Sequence, residues 1–372
     1  MSSSKHTPLV SIIALSYKES VQHRNECLNS ILSQTYDNIE LIITNDGADG
    51  FDECKTNELV DRRKKANISS LIINKNEQNL GTVKNCNLAL SLSSGDYILF
   101  IACDDVYNND NVITDMVNGF NVVPTDVMAI VGQLGMYNSD LSECTRLYVN
   151  KATQKTINTL TPNELYRNYL VYRCLFPAAA IIYKREVFDI YGKFDEKYFL
   201  LEDWPYSIFS AKRGMRYYYL DIMCVSHRDG GVSQSELDAN NHVYRKYVMD
   251  YISMFEDILL DDSLDIEITS IVHLNQSHHR QLYYNIFETP IQKEPSIKAI
   301  LANKMNQHIN VRNIFTINVF SFMSIFVGIK FLTISSYNLS TTLGYFFIYL
   351  GLLYFISSVF MIAFKFLIKL FN

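Results

Sequence analysis

Residues 95–105 constrain the fold of this chain more than any other stretch. They place an apolar run, residues 97–102, shortly before the adjacent carboxylates Asp104 and Asp105. An apolar run bounded by polar residues is typical of a strand that is covered on both faces. In open α/β sheets ligands bind at the carboxyl ends of such strands, where two carboxylates can hold a hard divalent cation. Considered alone, the pair is more often explained by a turn or a helix cap, in which aspartate is common.

The chain before this strand alternates between strand patterns and helix patterns. The patterns predict strands over residues 9–16, 39–44 and 69–73, and helices over residues 20–35, 52–66 and 82–92. Strands separated by helices of this length favour βαβ units and a largely parallel sheet. A two-layer antiparallel protein fits these helix lengths poorly. The first part of the chain is therefore predicted to have an α/β fold.

A second acidic pair, Glu202 and Asp203, stands at the start of a predicted helix over residues 204–213. Acidic side chains are favoured in the first turn of a helix by its dipole, so simple capping explains the pair as well as catalysis does. A strand is predicted over residues 217–225, followed by a turn over residues 227–233, and the chain then becomes mostly helical as far as residue 304.

Charge and cysteine content exclude several classes of protein. The formal net charge of −6 argues against nucleic acid as a partner, because nucleic-acid binding requires a basic face. The seven cysteines are scattered, and no two have the CxxC spacing. We therefore expect reduced thiols in a cytoplasmic compartment, with neither a zinc site nor a disulfide framework. The first eight residues are polar, and we expect no secretory signal peptide.

The last part of the chain is apolar enough to enter a membrane. Residues 343–364 carry no charged side chain, and as a helix they would span roughly 33 Å, which matches a bilayer core. Residues 314–329 are also apolar, and basic residues flank the two segments on their outer sides. The positive-inside rule then predicts a helical hairpin over residues 313–372 with both ends in the cytoplasm. Alternatively, residues 314–329 lie in the plane of the membrane.

Several short motifs follow one another in order over roughly the first 235 residues. They are Ser16-Tyr17 after the first strand, QTYDNIELII over residues 34–43, Asn45-Asp46-Gly47, Asn79-Leu80-Gly81, Lys84-Asn85, Gly95-Asp96-Tyr97-Ile98, Asp104-Asp105 and Glu202-Asp203. This order resembles that of family 2 glycosyltransferases with the GT-A fold, of the bacterial surface-polysaccharide type. The resemblance implies a Rossmann-like, mostly parallel sheet flanked by helices. The catalytic domain would then occupy residues 1–235, with a helical extension over residues 236–312 before the membrane-associated hairpin.

The chain departs from the family pattern at five positions. Leu15 and Lys18 replace a proline and an asparagine of the first turn, and Asn45 replaces an aspartate after the second strand. Ala102 stands where many members carry the first aspartate of the metal motif, so metal binding would rest on Asp104 and Asp105. His227 lies one position away from the family's usual histidine, and it is therefore left out of the predicted site.

The resemblance implies an inverting sugar transfer from a nucleotide-diphosphate sugar, most often a UDP-sugar, to a hydroxyl of a glycan or lipid-linked acceptor in surface polysaccharide synthesis. Asp105 and Asp104 would hold Mg²⁺ or Mn²⁺, which bridges the donor phosphates. By the family pattern Asp203 is the general base that deprotonates the acceptor, and Glu202 supports it.

The predicted binding residues complete this site. The donor would contact Ser16, Tyr17, Glu19, Asp46, Lys84 and Asp104. Trp204 would stack on the acceptor sugar. With the hairpin, the predicted acceptor is a glycan or a polyprenyl-diphosphate-linked molecule. The predicted location is the inner membrane, with the catalytic domain on its cytoplasmic side.

Two other functions remain open from the sequence. A nucleotidyltransferase acting on sugar phosphates also uses an α/β sheet and a metal-binding carboxylate, but it usually has a glycine-rich loop after the first strand, and residues 16–19 contain no glycine. A non-catalytic, membrane-anchored carbohydrate-binding module is the other alternative. The presence of two acidic pairs argues against it.

Overall fold

The computed structural model describes residues 7–172, 175–230 and 242–288. The chain divides into two compact units, residues 1–289 and 290–372, and all described residues belong to the first. The predicted hairpin over residues 313–372 lies outside the described residues, as does much of the predicted helical extension. Within the described ranges, no helix is both long enough and apolar enough to cross a bilayer.

The described strands form one mixed sheet, flanked by helices. Its strands are β1 (Val10–Ser16), β2 (Ile39–Asn45), β3 (Ile68–Lys75), β4 (Tyr97–Ala102), β5 (Val106–Tyr107), β6 (Val127–Tyr137), β7 (Cys144–Leu147), β8 (Ile181–Lys184) and β9 (Arg216–Arg228). Its helices are α1 (Val21–Leu32), α2 (Glu53–Arg63), α3 (Thr82–Leu92), α4 (Val112–Gly119), α5 (Lys151–Ile157), α6 (Pro162–Tyr172), α7 (Glu186–Ile190), α8 (Asp203–Lys212), α9 (His242–Ile258) and α10 (Ile266–Tyr283). A π-helical turn, Tyr284–Glu288, follows α10.

The strand order is β3-β2-β1-β4-β8-β6-β9-β5, with β7 paired to β6. The first half is parallel, because β1 pairs with β2 and β4 and β2 pairs with β3, each in parallel. The second half is mixed, since β8 runs antiparallel to both β4 and β6 while β6 and β9 run parallel. The α/β prediction is confirmed, but "mostly parallel" holds only for the half in which helices cross over between neighbouring strands.

Both faces of the parallel half are buried, as the continuous apolar runs of its strands predict. Successive residues of a strand point to opposite faces, so Ile12 and Ile13 enter different clusters. Ile12 packs with Leu41 on the side that α1 and α4 cover. Ile13 packs with Ile42 on the side covered by α3, α6 and α8.

Two local predictions have different outcomes. Besides the turn at residues 227–233, the sequence Thr161-Pro162-Asn163-Glu164 predicts a helix start, with Thr161 as the cap and Pro162 at the first helical position. The start of α6 is confirmed, because Thr161 Oγ1 accepts from the Glu164 amide at 3.3 Å and Glu164 accepts from the Thr161 amide at 2.8 Å, as in a capping box. The turn predicted from residue 227 onward is wrong at its beginning. His227 and Arg228 continue β9, where they pair with Met136 and Tyr137 of β6.

Candidate active site

Nearly all predicted site residues line one cavity at the carboxyl ends of β1, β2 and β4. The cavity has a volume of about 920 Å³. It is lined by Ser16, Tyr17, Glu19, Asp46, Asp104, Asp105, Glu202, Asp203 and Trp204, among others. The parallel register brings the residues at the ends of β1, β2 and β4 together. Ser16 pairs with Asn45 in β2, and Leu15 pairs with Ala102 in β4.

The turn after β1 is built around a buried carboxylate. Glu19 accepts from Ser16 Oγ at 2.8 Å and from Arg24 at 2.9 Å. Its second oxygen, Oε2, is buried and has no hydrogen-bond partner among the described residues. Lys18 adopts a left-handed backbone conformation with φ of 60°, which is uncommon for a residue other than glycine. Glu19 therefore shapes this wall of the cavity, and its contact with a donor stays a prediction.

Asp46 fixes the loop that leads into α3. Its carboxylate accepts from the backbone amides of Leu80 and Gly81 at 2.8 and 2.9 Å and from Asn76 at 3.0 Å. Gly81 has φ of 88°, and a Cβ there would lie 2.5 Å from the Phe199 carbonyl oxygen, so only glycine fits. The first role of Asp46 is thus structural, and a contact with a nucleotide base remains a prediction.

Asp105 ties the end of β4 to the end of β9. The carboxylate is only 2% exposed. Its Oδ2 lies 2.9 Å from His227 Nδ1, and its Oδ1 accepts from the Arg228 amide at 3.0 Å. The Arg228 Nε also donates to the carbonyl oxygen of Asp104 at 2.9 Å. Asp104, Asp105 and His227 therefore form one polar corner of the cavity, which we call the acidic corner.

His227 contacts Asp105 although its position in the sequence differs by one from the family's usual histidine. The irregular pairing of β6 with β9 explains this. The β6–β9 pairing shifts register between Val131 and Gln133 and again between Gln133 and Leu134. At these irregularities β9 carries extra residues relative to β6. A one-position offset in sequence therefore does not decide which β9 residue reaches Asp105.

Burial and neighbouring charges shift the pKa values of Asp104 and His227 in the acidic corner. Burial, followed by the negative charge of Asp105, raises the pKa of Asp104. Burial acts to lower the pKa of His227, but the hydrogen bond to Asp105 and its charge outweigh burial, and the pKa of His227 rises. The shift of His227 reflects the negative charge of Asp105 and Asp104, whereas the shift of Asp104 arises first from burial.

The second acidic pair opens α8, as predicted. Asp203 is the first residue of the helix, and its Oδ1 accepts from the Trp204 amide at 2.7 Å. Burial, and after it the negative charge of Asp203, raises the pKa of Glu202 to about 8. This shift favours the protonated form of Glu202 at neutral pH.

Asp250 supports this pair, although no sequence signal pointed to it. The side chain lies on α9, is 5% exposed, and accepts from three consecutive amides, those of Phe199, Leu200 and Leu201, at 2.6–3.1 Å. These amides belong to the residues just before Glu202. A carboxylate on one turn of a later helix thus holds the segment that carries the acidic pair.

Two predicted residues are placed differently from the expectation. Lys84 is exposed and lines a separate cleft of about 260 Å³ together with Glu196 and Lys197. Trp204 is only 4% exposed and packs edge-to-face on Tyr251 and Phe255 of α9. This is the packing of a core tryptophan. The donor contact of Lys84 and the stacking role of Trp204 therefore remain predictions that their positions do not favour.

Comparison with known proteins matches this part of the chain to sugar-transferring enzymes. Residues 11–189 match the family model described as "Glycosyl transferase family 2". The match begins in β1 and ends in α7, so it includes Asp46 and the acidic pair at 104–105. It ends before Glu202 and before His227.

Individual relatives share shorter or weaker similarity. A protein of Haemophilus influenzae described as an uncharacterized glycosyltransferase is 33% identical over 102 residues, which are 27% of this chain and 30% of that protein. The uncharacterized glycosyltransferase EpsJ of Bacillus subtilis is 22% identical over 245 residues, which are 64% of this chain and 68% of that protein. The crystal structure of S. aureus TarS 1-349 in complex with UDP-GlcNAc is 15% identical, with a TM-score of 0.49 over 75% of this chain and 71% of that one.

Proposed function

We propose, from the match of residues 11–189 to the family model described as "Glycosyl transferase family 2", that the protein transfers a sugar from a nucleotide-diphosphate sugar to an acceptor hydroxyl with inversion. One observation carries the proposal: the acidic corner and the pair Glu202–Asp203 line the same cavity. A volume of about 920 Å³ lies near the upper end of ligand cavities and suits a donor and part of an acceptor together. A UDP-sugar is the preferred donor in this proposal.

The acidic corner fits a hard divalent cation. Among the described residues, no three histidine, cysteine, aspartate or glutamate side chains are arranged as a complete metal site. Carboxylate oxygens are the ligands that Mg²⁺ and Mn²⁺ prefer, and donor phosphate oxygens and water would complete the coordination. Asp105 and Asp104 would hold the ion, with His227 beside them, and the ion would stabilise the charge of the departing diphosphate.

The second pair supplies the proton chemistry. Asp203 removes the proton of the acceptor hydroxyl as the acceptor oxygen bonds to the anomeric carbon. The bond from that carbon to the diphosphate oxygen breaks, and its electrons leave with the nucleoside diphosphate. Protonated Glu202 adds no second negative charge near the incoming nucleophile, so the pair divides into a base and a neutral neighbour.

We further propose that the acceptor is linked to polyprenyl diphosphate and that the reaction takes place at the cytoplasmic face of the inner membrane. The support for this comes from the sequence, namely the apolar segments at 314–329 and 343–364. A catalyst and an acceptor held in the same membrane meet at high effective concentration.

The direct test is release of nucleoside diphosphate by the purified full-length protein. UDP-, GDP- and dTDP-sugars are supplied with Mn²⁺, with Mg²⁺ or with EDTA. We expect release with at least one donor, dependence on metal, and a fall of at least about 10²-fold in Asp203→Asn. The matched control is Asp126→Asn, an exposed carboxylate paired with Arg216 at the far end of the sheet. If no donor is cleaved, or if Asp203→Asn turns over like the wild type, the proposal is wrong.

A further inference from the structure

The cavity extends beyond Asp203 along one face of α9. Val243, Tyr247 and Tyr251 of this helix line it. Residues four apart lie above one another on a helix, so the three side chains form a continuous strip beside the acidic pair. We call Tyr247 and Tyr251 the tyrosine wall.

The tyrosine wall is held in place by its own packing. The two rings meet edge-to-face with centroids 4.9 Å apart, and their hydroxyls are 2.8 Å apart. Tyr251 also stacks on His279 of α10, with ring centroids 4.8 Å apart. Rings fixed in this way lose little side-chain freedom when a ligand settles on them, which is the advantage of a preorganised surface.

The wall has the chemistry of a surface for a sugar ring. Aromatic rings offer a broad apolar surface, and their hydroxyls offer hydrogen bonds at its edge. A pyranose matches both, with C–H groups on its faces and hydroxyls around its rim. An open-chain polyol phosphate would instead require nearby cations. Among the described residues, the lysine and arginine side chains that line the cavity are Lys18 and Arg146, which lie on the turn after β1 and on β7 rather than on α9.

We propose that Tyr247 and Tyr251 form the acceptor subsite, and that the acceptor hydroxyl presented to Asp203 belongs to a pyranose unit. This rests on the proposed glycosyl transfer and specifies its acceptor class. The terminal sugar packs on the tyrosine wall, which brings one of its hydroxyls to the Asp203 carboxylate. Whatever lies beyond that sugar, glycan or lipid, contacts the chain elsewhere.

The chain contains a built-in reporter of this subsite. Trp204 is the only tryptophan in the sequence, and its ring centroid lies 5.5 Å from that of Tyr251. A sugar that settles on Tyr251 changes the surroundings of a ring in contact with Trp204. Binding is therefore expected to alter the tryptophan emission of the full-length protein without any label.

The first experiment titrates full-length wild-type protein with methyl pyranosides of glucose, galactose, mannose, N-acetylglucosamine and N-acetylgalactosamine, and separately with glycerol phosphate and ribitol phosphate. We expect a saturable change in Trp204 emission with at least one pyranoside and none with the open-chain phosphates. A response to the polyol phosphates alone, or to none of these probes, overturns the proposal. This titration needs no donor. It therefore tests the acceptor subsite even if the protein cleaves no nucleotide-sugar.

The second experiment measures how the responding pyranoside stimulates nucleoside-diphosphate release. We expect Tyr251→Leu to raise the KM for the pyranoside about tenfold, a change of about 1.4 kcal/mol, and Tyr251→Phe to raise it less because the ring remains. Tyr284→Leu, a 59% exposed tyrosine outside the cavity, should keep the wild-type KM. A wild-type KM in Tyr251→Leu overturns the subsite. Absence of release by the wild type with every donor overturns the proposed function instead.

Discussion

The shifted pKa of Glu202 has a measurable consequence for the stability of the fold. The ordinary pKa of a glutamate is near 4.5, and burial together with the charge of Asp203 raises that of Glu202 to about 8. Between these values the folded protein holds a proton that the unfolded chain has released. Stability therefore falls as the pH rises through this window.

The corresponding prediction concerns Glu202→Gln. Glutamine imitates the protonated carboxyl and cannot ionise, so the melting temperature of the variant should decline less between pH 5 and pH 8 than that of the wild type. Thermal unfolding followed by circular dichroism measures both curves. Glu58→Gln lies at an exposed position of α2, and its melting temperature should change with pH in the same way as that of the wild type. Parallel curves for Glu202→Gln and the wild type would show that Glu202 is ionised throughout.

Different substitutions separate the structural contacts of Asp105 from its proposed role as a metal ligand. Both of its oxygens bind β9, one at His227 and one at the Arg228 amide, and the carboxylate would also ligate the metal. Asp105→Asn keeps an oxygen for the amide but removes the charge. Asp105→Ala removes the charge and both carboxylate oxygens. The Arg228 amide then has no acceptor, which lowers the free energy of unfolding by about 1–3 kcal/mol.

We therefore expect both Asp105 variants to lose metal-dependent UDP binding, and only Asp105→Ala to melt clearly lower. Calorimetric titration with UDP and Mn²⁺ gives the first quantity, and thermal unfolding in EDTA gives the second. Asp115→Asn, a carboxylate on α4 outside the cavity, serves as the control. Unchanged titration in Asp105→Asn would remove this residue from the metal site.

Among the elements, α9 supports the part of the cavity that holds the second acidic pair. Through Asp250 it holds the amides of residues 199–201. Through Lys246, whose Nζ lies 3.4 Å from the ring centroid of Phe199, it covers the same segment. Phe199 in turn contacts the Gly81 loop that Asp46 holds. The helix therefore connects the acidic pair to the wall on which a donor would lie.

Asp250→Ala should lower kcat by at least about tenfold while donor KM changes less, because Asp203 is misplaced rather than removed. Its matched control is Glu40→Gln. Glu40 is also a buried carboxylate that holds a loop, through Ser11 and Ser94, but it lies at the amino ends of the strands. Glu40→Gln should reduce stability and leave kcat unchanged. Equal losses of kcat in the two variants would show that Asp250 is merely structural.

The parts of the fold that depend on local pattern were predictable. The β1 and β4 strands, α3 and the capping box of α6 follow from apolar runs, helical spacing and a Thr-Pro start. The contacts that complete the site join residues far apart in sequence. His227 reaches Asp105 through a strand pairing with irregular register, and Asp250 reaches the segment before Glu202 from the middle of a later helix. No periodicity encodes such contacts, because they depend on how elements pack.

At the scale of the whole molecule, the sheet combines two arrangements with different tasks. Its parallel half gathers the ends of β1, β2 and β4 at one edge, where the predicted donor residues meet. Its mixed half brings β9 back to the same edge, so that His227 and Arg228 close the corner around Asp105. Because β4 and β6 are both antiparallel to β8, and β9 is parallel to β6, β9 runs in the same direction as β4, and its carboxyl end lies at this edge.

The last prediction concerns whether residues 313–372 hold the protein at a membrane, as we propose. Residues 343–364 carry no charge, and an arginine near the centre of a spanning helix costs about 2.5–3.5 kcal/mol. Ending the chain after Arg312, or introducing Leu352→Arg with Phe355→Arg, should move the protein from the carbonate-resistant membrane pellet to the supernatant. Ser335→Arg, between the two apolar segments, should leave it in the pellet. If the truncated chain stays in the pellet, residues 313–372 are not the anchor, and the cavity must meet its acceptor through another surface.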